Sequence, residues 1–149
     1  MIIIDRKQKY SYWEDIATYD LETAAAMLAS KCYLYVVFMC QQSIEKLVKG
    51  LFVMFCDQEP PRTHNIAQVF KQIVEVIDVE YKDNEEFIRK LGQYNAFLVK
   101  MLAYYIAERY PSYKEKLSQA VDQQEATDVL ALTKEVFIWL ISLKQFAPA

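Results

Sequence analysis

Between Tyr33 and Phe55 the chain carries apolar residues on every side of a helix. They are Val36, Val37, Phe38, Cys40, Ile44, Leu47, Val48, Leu51, Phe52 and Phe55. A helix that is apolar all round is buried over most of its perimeter. We therefore expect one of its faces to meet the core of the domain and another to meet a second subunit. Gly50 costs this helix about 1 kcal/mol relative to alanine, which favours a close approach of a neighbouring backbone there.

The chain contains few of the glycine and proline residues that the turns of a β-rich fold need. Only two glycines and four prolines occur among 149 residues, whereas apolar residues recur at the three- and four-residue spacing of amphipathic helices. The first predicted helix starts near Tyr12, the second spans about 33–55 and the third starts near Asn65. A long helix then spans about 85–110, a short one starts at Ser112, and the last spans about 124–144. The sequence thus predicts an all-α fold, a compact up-and-down bundle of four to five principal helices forming a single domain over residues 1–149.

Side chains that cap a first helical turn indicate where these helices begin. The predicted capping residues are Ser11, Asn65, Asp83 or Asn84, and Ser112. The first helix has a predicted core face of Trp13, Ile16, Ala17, Ala24, Met27 and Leu28. Asp20 also lies on that face. Burying a charge is costly unless it is paired, so Asp20 either pairs with a lysine or arginine of a neighbouring helix or belongs to a polar site.

Composition excludes several classes of protein. The net charge of −3 argues against binding nucleic acid by charge alone. Cys32, Cys40 and Cys56 are odd in number and lack metal-ligand spacing, which favours buried reduced thiols. Because no export signal and no membrane-spanning run is recognisable, we expect a cytoplasmic protein without contact to a membrane. Neither a metal site nor a cofactor-binding motif is predicted.

The apolar second helix contains one polar cluster. It consists of Gln41, Gln42, Glu45, Lys46 and Lys49. Glu45 and Lys49 have the favourable order for an ion pair four residues apart. In one interpretation these two residues pair and Lys46 extends to water. In the other, Lys46, Lys49 and Arg109 form a cationic pocket for a phosphate or nucleotide.

The only histidine follows the prolines that end this helix. His64 is the natural acid–base candidate because its unperturbed pKa lies near neutrality. The alternative is a structural role, in which its ring bonds the start of the third helix and fixes the loop. Arg62 beside it serves as an anion ligand or as a surface charge. Among the eleven tyrosines, Tyr94, Tyr104 and Tyr105 lie on or beside a helical core stripe, which favours packing over base stacking.

Five segments taken together resemble the HEPN domain family. They are Gln41-Gln42-x-x-Glu45-Lys46-x-x-Lys49, Pro61-Arg62-Thr63-His64-Asn65, Trp13 with Asp20-Leu21, Arg109-Tyr110-Pro111, and the closing helix with Trp139. The resemblance covers a core of about residues 10–145. It implies a small α-helical homodimer that binds a nucleotide, RNA or a partner protein, often beside a minimal nucleotidyltransferase in toxin–antitoxin-like pairs. The ligand-binding residues it favours are Gln42, Glu45, Lys46, Lys49, Arg62 and Tyr110.

The resemblance also implies an alternative activity. HEPN ribonucleases use an arginine and a histidine with four to six residues between them, and two such motifs meet across a dimer to cleave RNA without metal. Arg109 matches the arginine, but Lys114, Glu115 and Lys116 occupy the places of the histidine. The candidate catalytic residues are therefore Arg109 and His64, with His64 coming from elsewhere in the chain. A third hypothesis is a non-catalytic helical adaptor that forms oligomers.

Overall fold

The computed structural model describes residues 4–77 and 79–148. In these ranges the chain is all-α, with seven helices, a closing 3-10 turn and no strand. The helices are α1 (Arg6–Ala29), α2 (Tyr33–Cys56), α3 (Ile66–Val76), α4 (Val79–Lys82), α5 (Glu85–Arg109), α6 (Pro111–Ala120) and α7 (Gln123–Ser142), and the 3-10 turn spans Leu143–Phe146. The predicted fold class is confirmed, since five of the helices are long and pack as a bundle.

The second helix is the centre of this bundle. It packs against α1, α3, α5, α6 and α7, and nearly all of its apolar residues from Val36 to Phe55 are buried. Its neighbours in the same chain cover the faces that the sequence suggested for both the core and a second subunit. A partner subunit therefore has to use another surface than the apolar perimeter of α2.

The first helix packs on α2 across Gly50. A Cβ built on Gly50 would lie 2.6 Å from the Cβ of Trp13 and 3.2 Å from Cδ2 of Tyr10, so the predicted close approach at this glycine is confirmed. The core face of α1 is narrower than predicted, because Ile16 is 53% exposed. Ala17 and Ala24 are fully buried, and their small side chains let the two helices come together.

Of the predicted N-terminal helix caps, those at Asn65 and Asn84 are present and those at Ser11 and Ser112 are not. Asn65 Oδ1 accepts from the backbone N–H of Gln68 at 3.3 Å, and Asn84 Oδ1 accepts from that of Phe87 at 3.1 Å, as predicted. The prediction for Ser11 is wrong: α1 begins one and a half turns earlier at a cap formed by Asp5. The prediction for Ser112 is also wrong, because α6 begins at a proline and its N-cap residue Tyr110 makes no side-chain capping bond.

The three cysteines are free, as expected, but they are not all buried. Cys40 is inaccessible, Cys56 is half-buried and Cys32 is exposed in the turn after α1. Burial raises the pKa of the Cys40 thiol to about 11. Cys40 therefore packs as a small apolar residue in the core of the bundle.

Candidate functional site

Glu45 is the centre of a buried polar network on α2. Its carboxylate accepts from Gln41 Nε2 at 3.0 Å and from Lys49 Nζ at 3.4 Å. The ion pair with Lys49 that the sequence predicted is present, and Gln42 Nε2 extends the network by donating to Gln41 at 2.6 Å. A buried carboxylate is tolerated in an apolar helix because each of its oxygens has a partner.

His64 is attached to the same carboxylate. Its Nδ1 lies 2.9 Å from Glu45 Oε1. An ionised carboxylate can only accept, so Nδ1 is the donor in this contact, and in the corresponding neutral tautomer Nε2 is the free acceptor. The structural role predicted for His64 was a bond to the start of α3. The ring is bonded to α2 instead, and Thr63 Oγ1 accepts from the backbone N–H of Asn65 in the loop.

The two candidate catalytic residues meet at one aromatic ring. His64 stacks on Tyr105 with ring centroids 3.8 Å apart and an interplanar angle of 17°. The guanidinium carbon of Arg109 lies 4.8 Å from the centroid of the same Tyr105 ring. Tyr105 thus links the loop before α3 to the last turn of α5, although its place beside a core stripe gave no sign of this role.

Asp20 and Lys46 form a separate pair between α1 and α2. Lys46 Nζ donates to Asp20 Oδ2 at 2.5 Å, and the Asp20 side chain is nearly buried. The first of the two expectations for Asp20, pairing with a cation of a neighbouring helix, is therefore met. Lys46 does not extend freely into water, because its ammonium is held at the surface by this carboxylate.

An open cleft lies beside the network. Its volume is about 580 Å³, and its lining residues are Met39, Gln42, Lys46, Tyr105, Glu108, Arg109 and Lys114. Three predicted site residues are therefore in this lining: Gln42, Lys46 and Arg109. Glu45, Lys49 and His64 do not line the cleft and belong to the polar network. Arg62 is exposed in the loop and Tyr110 is exposed at the start of α6, and neither lines the cleft.

Lys114 is a cation of this cleft that is not among the predicted ligand-binding residues. It occupies one of the places at which the family pattern has a histidine. Its ammonium donates to the hydroxyl of Tyr35 at 2.9 Å and lies 5.0 Å from the centroid of that ring. Within the described ranges neither Lys114 nor Arg109 forms an ion pair with a carboxylate. Both cations are therefore available to bind an anion. The carboxylate of Glu108 lies in the same lining and would repel that anion.

The part of the chain that the structure describes has few side chains grouped in a way that suits a metal ion. It contains no group of three or more histidine, cysteine, aspartate or glutamate residues able to hold an ion. Among the same residues, no helix has the length and apolar character needed to cross a bilayer.

A comparison with models of known protein families shows to which family this chain belongs. The model of the HEPN domain matches residues 10–144, nearly the whole chain. The chain belongs to the HEPN family. No curated protein and no solved structure matches it. Membership of the HEPN family supports a nucleotide- or RNA-related function in general, and HEPN domains commonly form dimers.

Proposed function

We propose that the cleft beside Tyr105 binds the phosphate of a nucleotide or of RNA. The observation that carries this proposal is the convergence of Arg109 and Lys114 on one cleft, without a carboxylate partner for either in the described residues. A guanidinium offers paired donors that match phosphate oxygens, and an ammonium adds a second positive charge. The volume of about 580 Å³ lies within the range of small-molecule sites.

The surroundings of the two cations support the same proposal. The side chain of Tyr105 forms part of the wall. Its ring is stacked on His64 and lies under the Arg109 guanidinium, and these contacts hold both groups beside the cleft. The N-terminal turn of α6 begins at Pro111, two residues after Arg109, and no side chain caps it. Its backbone N–H groups add to the positive potential on this side of the cleft. Lys46 is neutralised by Asp20 and contributes less.

We expect Arg109→Ala and Lys114→Ala each to weaken binding of ATP, or of a short single-stranded RNA, by roughly 10- to 100-fold, the usual cost of a lost hydrogen bond to a charged group. Isothermal titration calorimetry measures this directly. Lys116→Ala is the matched control, because Lys116 is exposed on the same helix and lies outside the lining. If the wild type binds neither ligand, or if Lys116→Ala weakens binding as much as Lys114→Ala, the cleft is not the site.

A second candidate function is metal-independent cleavage of RNA. It is favoured by the contacts that bring His64 and Arg109 to the same ring. In such a reaction the 2′-hydroxyl attacks the adjacent phosphorus and gives its proton to a base. The 5′-oxygen then leaves with a proton from water, and a 2′,3′-cyclic phosphate remains. Nε2 of His64 would serve as the base, with Glu45 fixing the ring, and Arg109 would stabilise the charge on the phosphate.

If the protein has this activity, we expect it to cleave RNA in the presence of EDTA. His64→Ala and Arg109→Ala should each reduce the cleavage rate about 100-fold or more, because general acid–base catalysis typically contributes that much. A fluorophore–quencher RNA provides the readout. Equal rates in the wild type and both variants, or no cleavage by the wild type, would remove the ribonuclease hypothesis while leaving phosphate binding intact.

We also propose that the protein works with a nucleotidyltransferase in a toxin–antitoxin-like pair, and this rests on the family relationship alone. Co-expression with the product of a neighbouring nucleotidyltransferase gene should yield a complex on size-exclusion chromatography. Separate elution of the two proteins, together with no nucleotide binding, would favour the third hypothesis of a helical adaptor.

A further inference from the structure

Glu108 is a carboxylate in the lining of the cleft that has no partner of its own. It lies half-buried in the last turn of α5, and among residues 4–77 and 79–148 its side chain forms neither an ion pair nor a hydrogen bond. Two cations, Arg109 and Lys114, line the same cleft. Opposite charges this close attract each other even near a protein surface, so the separation of Glu108 from both cations has a structural cause.

Aromatic rings hold the two cations away from this carboxylate. The guanidinium carbon of Arg109 lies 4.8 Å from the centroid of Tyr105. The ammonium of Lys114 donates to the hydroxyl of Tyr35 at 2.9 Å and lies 5.9 Å from the centroid of Phe38. These contacts orient the cations without neutralising them. Glu108 therefore keeps its full capacity as an acceptor, because an ionised carboxylate accepts through both oxygens and donates nothing.

The cleft thus presents two positive charges and one strong acceptor to the ligand that fills it. A phosphate bound to Arg109 and Lys114 is repelled by Glu108. The part of the ligand that reaches Glu108 therefore has to be a donor of hydrogen bonds. In a nucleotide that part is the base, since the ribose separates it from the phosphate.

The four bases of RNA differ in what they offer to a carboxylate along the Watson–Crick edge. Guanine presents two adjacent donors, N1–H and the exocyclic amino group, which match the two oxygens of one carboxylate. Adenine and cytosine each present an amino group beside an unprotonated ring nitrogen, whose lone pair faces the second oxygen. Uracil presents one N–H between two carbonyl oxygens. A free carboxylate therefore favours guanine over the other three bases.

We propose that Glu108 makes the cleft selective for guanine, in a free nucleotide or in RNA. The base pairs with the Glu108 carboxylate through N1–H and the amino group, and the phosphate binds Arg109 and Lys114. This inference rests on the proposed phosphate site and adds the identity of the base. Because Glu108 is half-buried, we expect discrimination of about 10- to 100-fold, the usual cost of lost hydrogen bonds to a charged group.

Isothermal titration calorimetry of the wild type with GTP, ITP and ATP tests the selectivity. GTP should bind about 10- to 100-fold more tightly than ATP. ITP should lie between them, because its base keeps N1–H and lacks the amino group. The three ligands carry the same triphosphate, so a difference in affinity reports on the base alone.

The variant Glu108→Gln tests the role of the carboxylate by a gain of binding. Its amide keeps one acceptor and supplies one donor in place of the second. It should lose the preference for GTP and gain affinity for XTP, whose base has a carbonyl oxygen in place of the amino group, and loss of folding cannot produce this gain. Glu115→Gln is the matched control. It removes the same charge beside Lys114, at an exposed position of α6 outside the lining, and should bind GTP like the wild type.

Two short single-stranded RNAs, one of adenine alone and one with a central guanine, distinguish the sources of the base. Tighter binding of the guanine-containing RNA identifies RNA as the ligand, and selectivity for GTP alone identifies a free nucleotide. Equal binding of GTP and ATP and of the two RNAs overturns the assignment of guanine while the phosphate site stands. A Glu108→Gln variant that keeps the preference for GTP over XTP also overturns it. If the wild type binds none of these ligands, the phosphate site itself is removed.

Discussion

Replacing Glu45 by alanine should lower the free energy of unfolding by about 3 kcal/mol, the lower end of the cost of removing one partner from a buried ion pair. The side chain is 9% exposed. Its loss leaves the ammonium of Lys49, the amide of Gln41 and the imidazole of His64 without their acceptor. A cavity remains in place of the carboxylate, and it adds to the cost.

Urea unfolding followed by far-ultraviolet circular dichroism measures this change. Glu45→Gln should cost less, because the amide oxygen still accepts a hydrogen bond and the volume is kept. Glu22→Ala, at an exposed position of α1, is the surface control and should stay within about 0.5 kcal/mol of the wild type. If Glu45→Ala were as stable as Glu22→Ala, the network would have no structural role.

The second large effect is expected at Gly50, where alanine should destabilise the protein although it is the better helix former. Alanine gains about 1 kcal/mol of helix propensity over glycine. Its Cβ, however, would stand 2.6 Å from the Cβ of Trp13, an atom fixed to the backbone of α1 that cannot rotate away. Overpacking of this kind costs about 1–3 kcal/mol and occasionally more. Because the Trp13 Cβ cannot move aside without α1, we expect a cost in the upper part of this range, about 2–3 kcal/mol, and thus a net loss of about 1–2 kcal/mol.

The other glycine provides the control. Gly92→Ala places a Cβ where no atom of the chain lies within 4 Å, and it should raise the stability by roughly 0.5–1 kcal/mol through helix propensity. Chemical denaturation of both variants at one protein concentration gives the comparison. Opposite signs for the two glycines are the expected result, and stabilisation by Gly50→Ala would mean that α1 and α2 are not in close contact.

Features that depend on neighbours along the chain could be predicted from the sequence. The ion pair between Glu45 and Lys49 follows from their separation of four residues, and the caps at Asn65 and Asn84 follow from residue type and position. The burial of α2 follows from its apolar perimeter. Each of these rests on helical periodicity, which is a local property.

Features that depend on residues distant in sequence could not be obtained in the same way. The bond between His64 and Glu45 joins the loop before α3 to the middle of α2, and Tyr105 joins this loop to α5. The sequence suggested a cation partner for Asp20 but could not select Lys46. Lys114 was missed as a ligand candidate because its proximity to Arg109 arises from the turn between α5 and α6.

The misplaced start of α1 has a different cause. Ser11 has the residue type and spacing of a cap, yet in the structure its hydroxyl donates to the carbonyl of Lys7 within the helix. Asp5 caps the helix instead by accepting from the backbone N–H of Gln8 at 2.8 Å. Two alternative caps of similar strength lay within two turns of each other, and propensity alone does not choose between them.

The loop between α2 and α3 carries the histidine of the candidate site. Asp57 ends α2 in the left-handed conformation with φ 53°, and two prolines follow before His64. The histidine reaches the rest of the site through its bond to Glu45 and its stacking on Tyr105. The position of the imidazole beside Arg109 therefore depends on these two contacts as well as on the packing of the helices. Amide hydrogen exchange in this loop would then report local opening around His64 rather than global unfolding of the bundle.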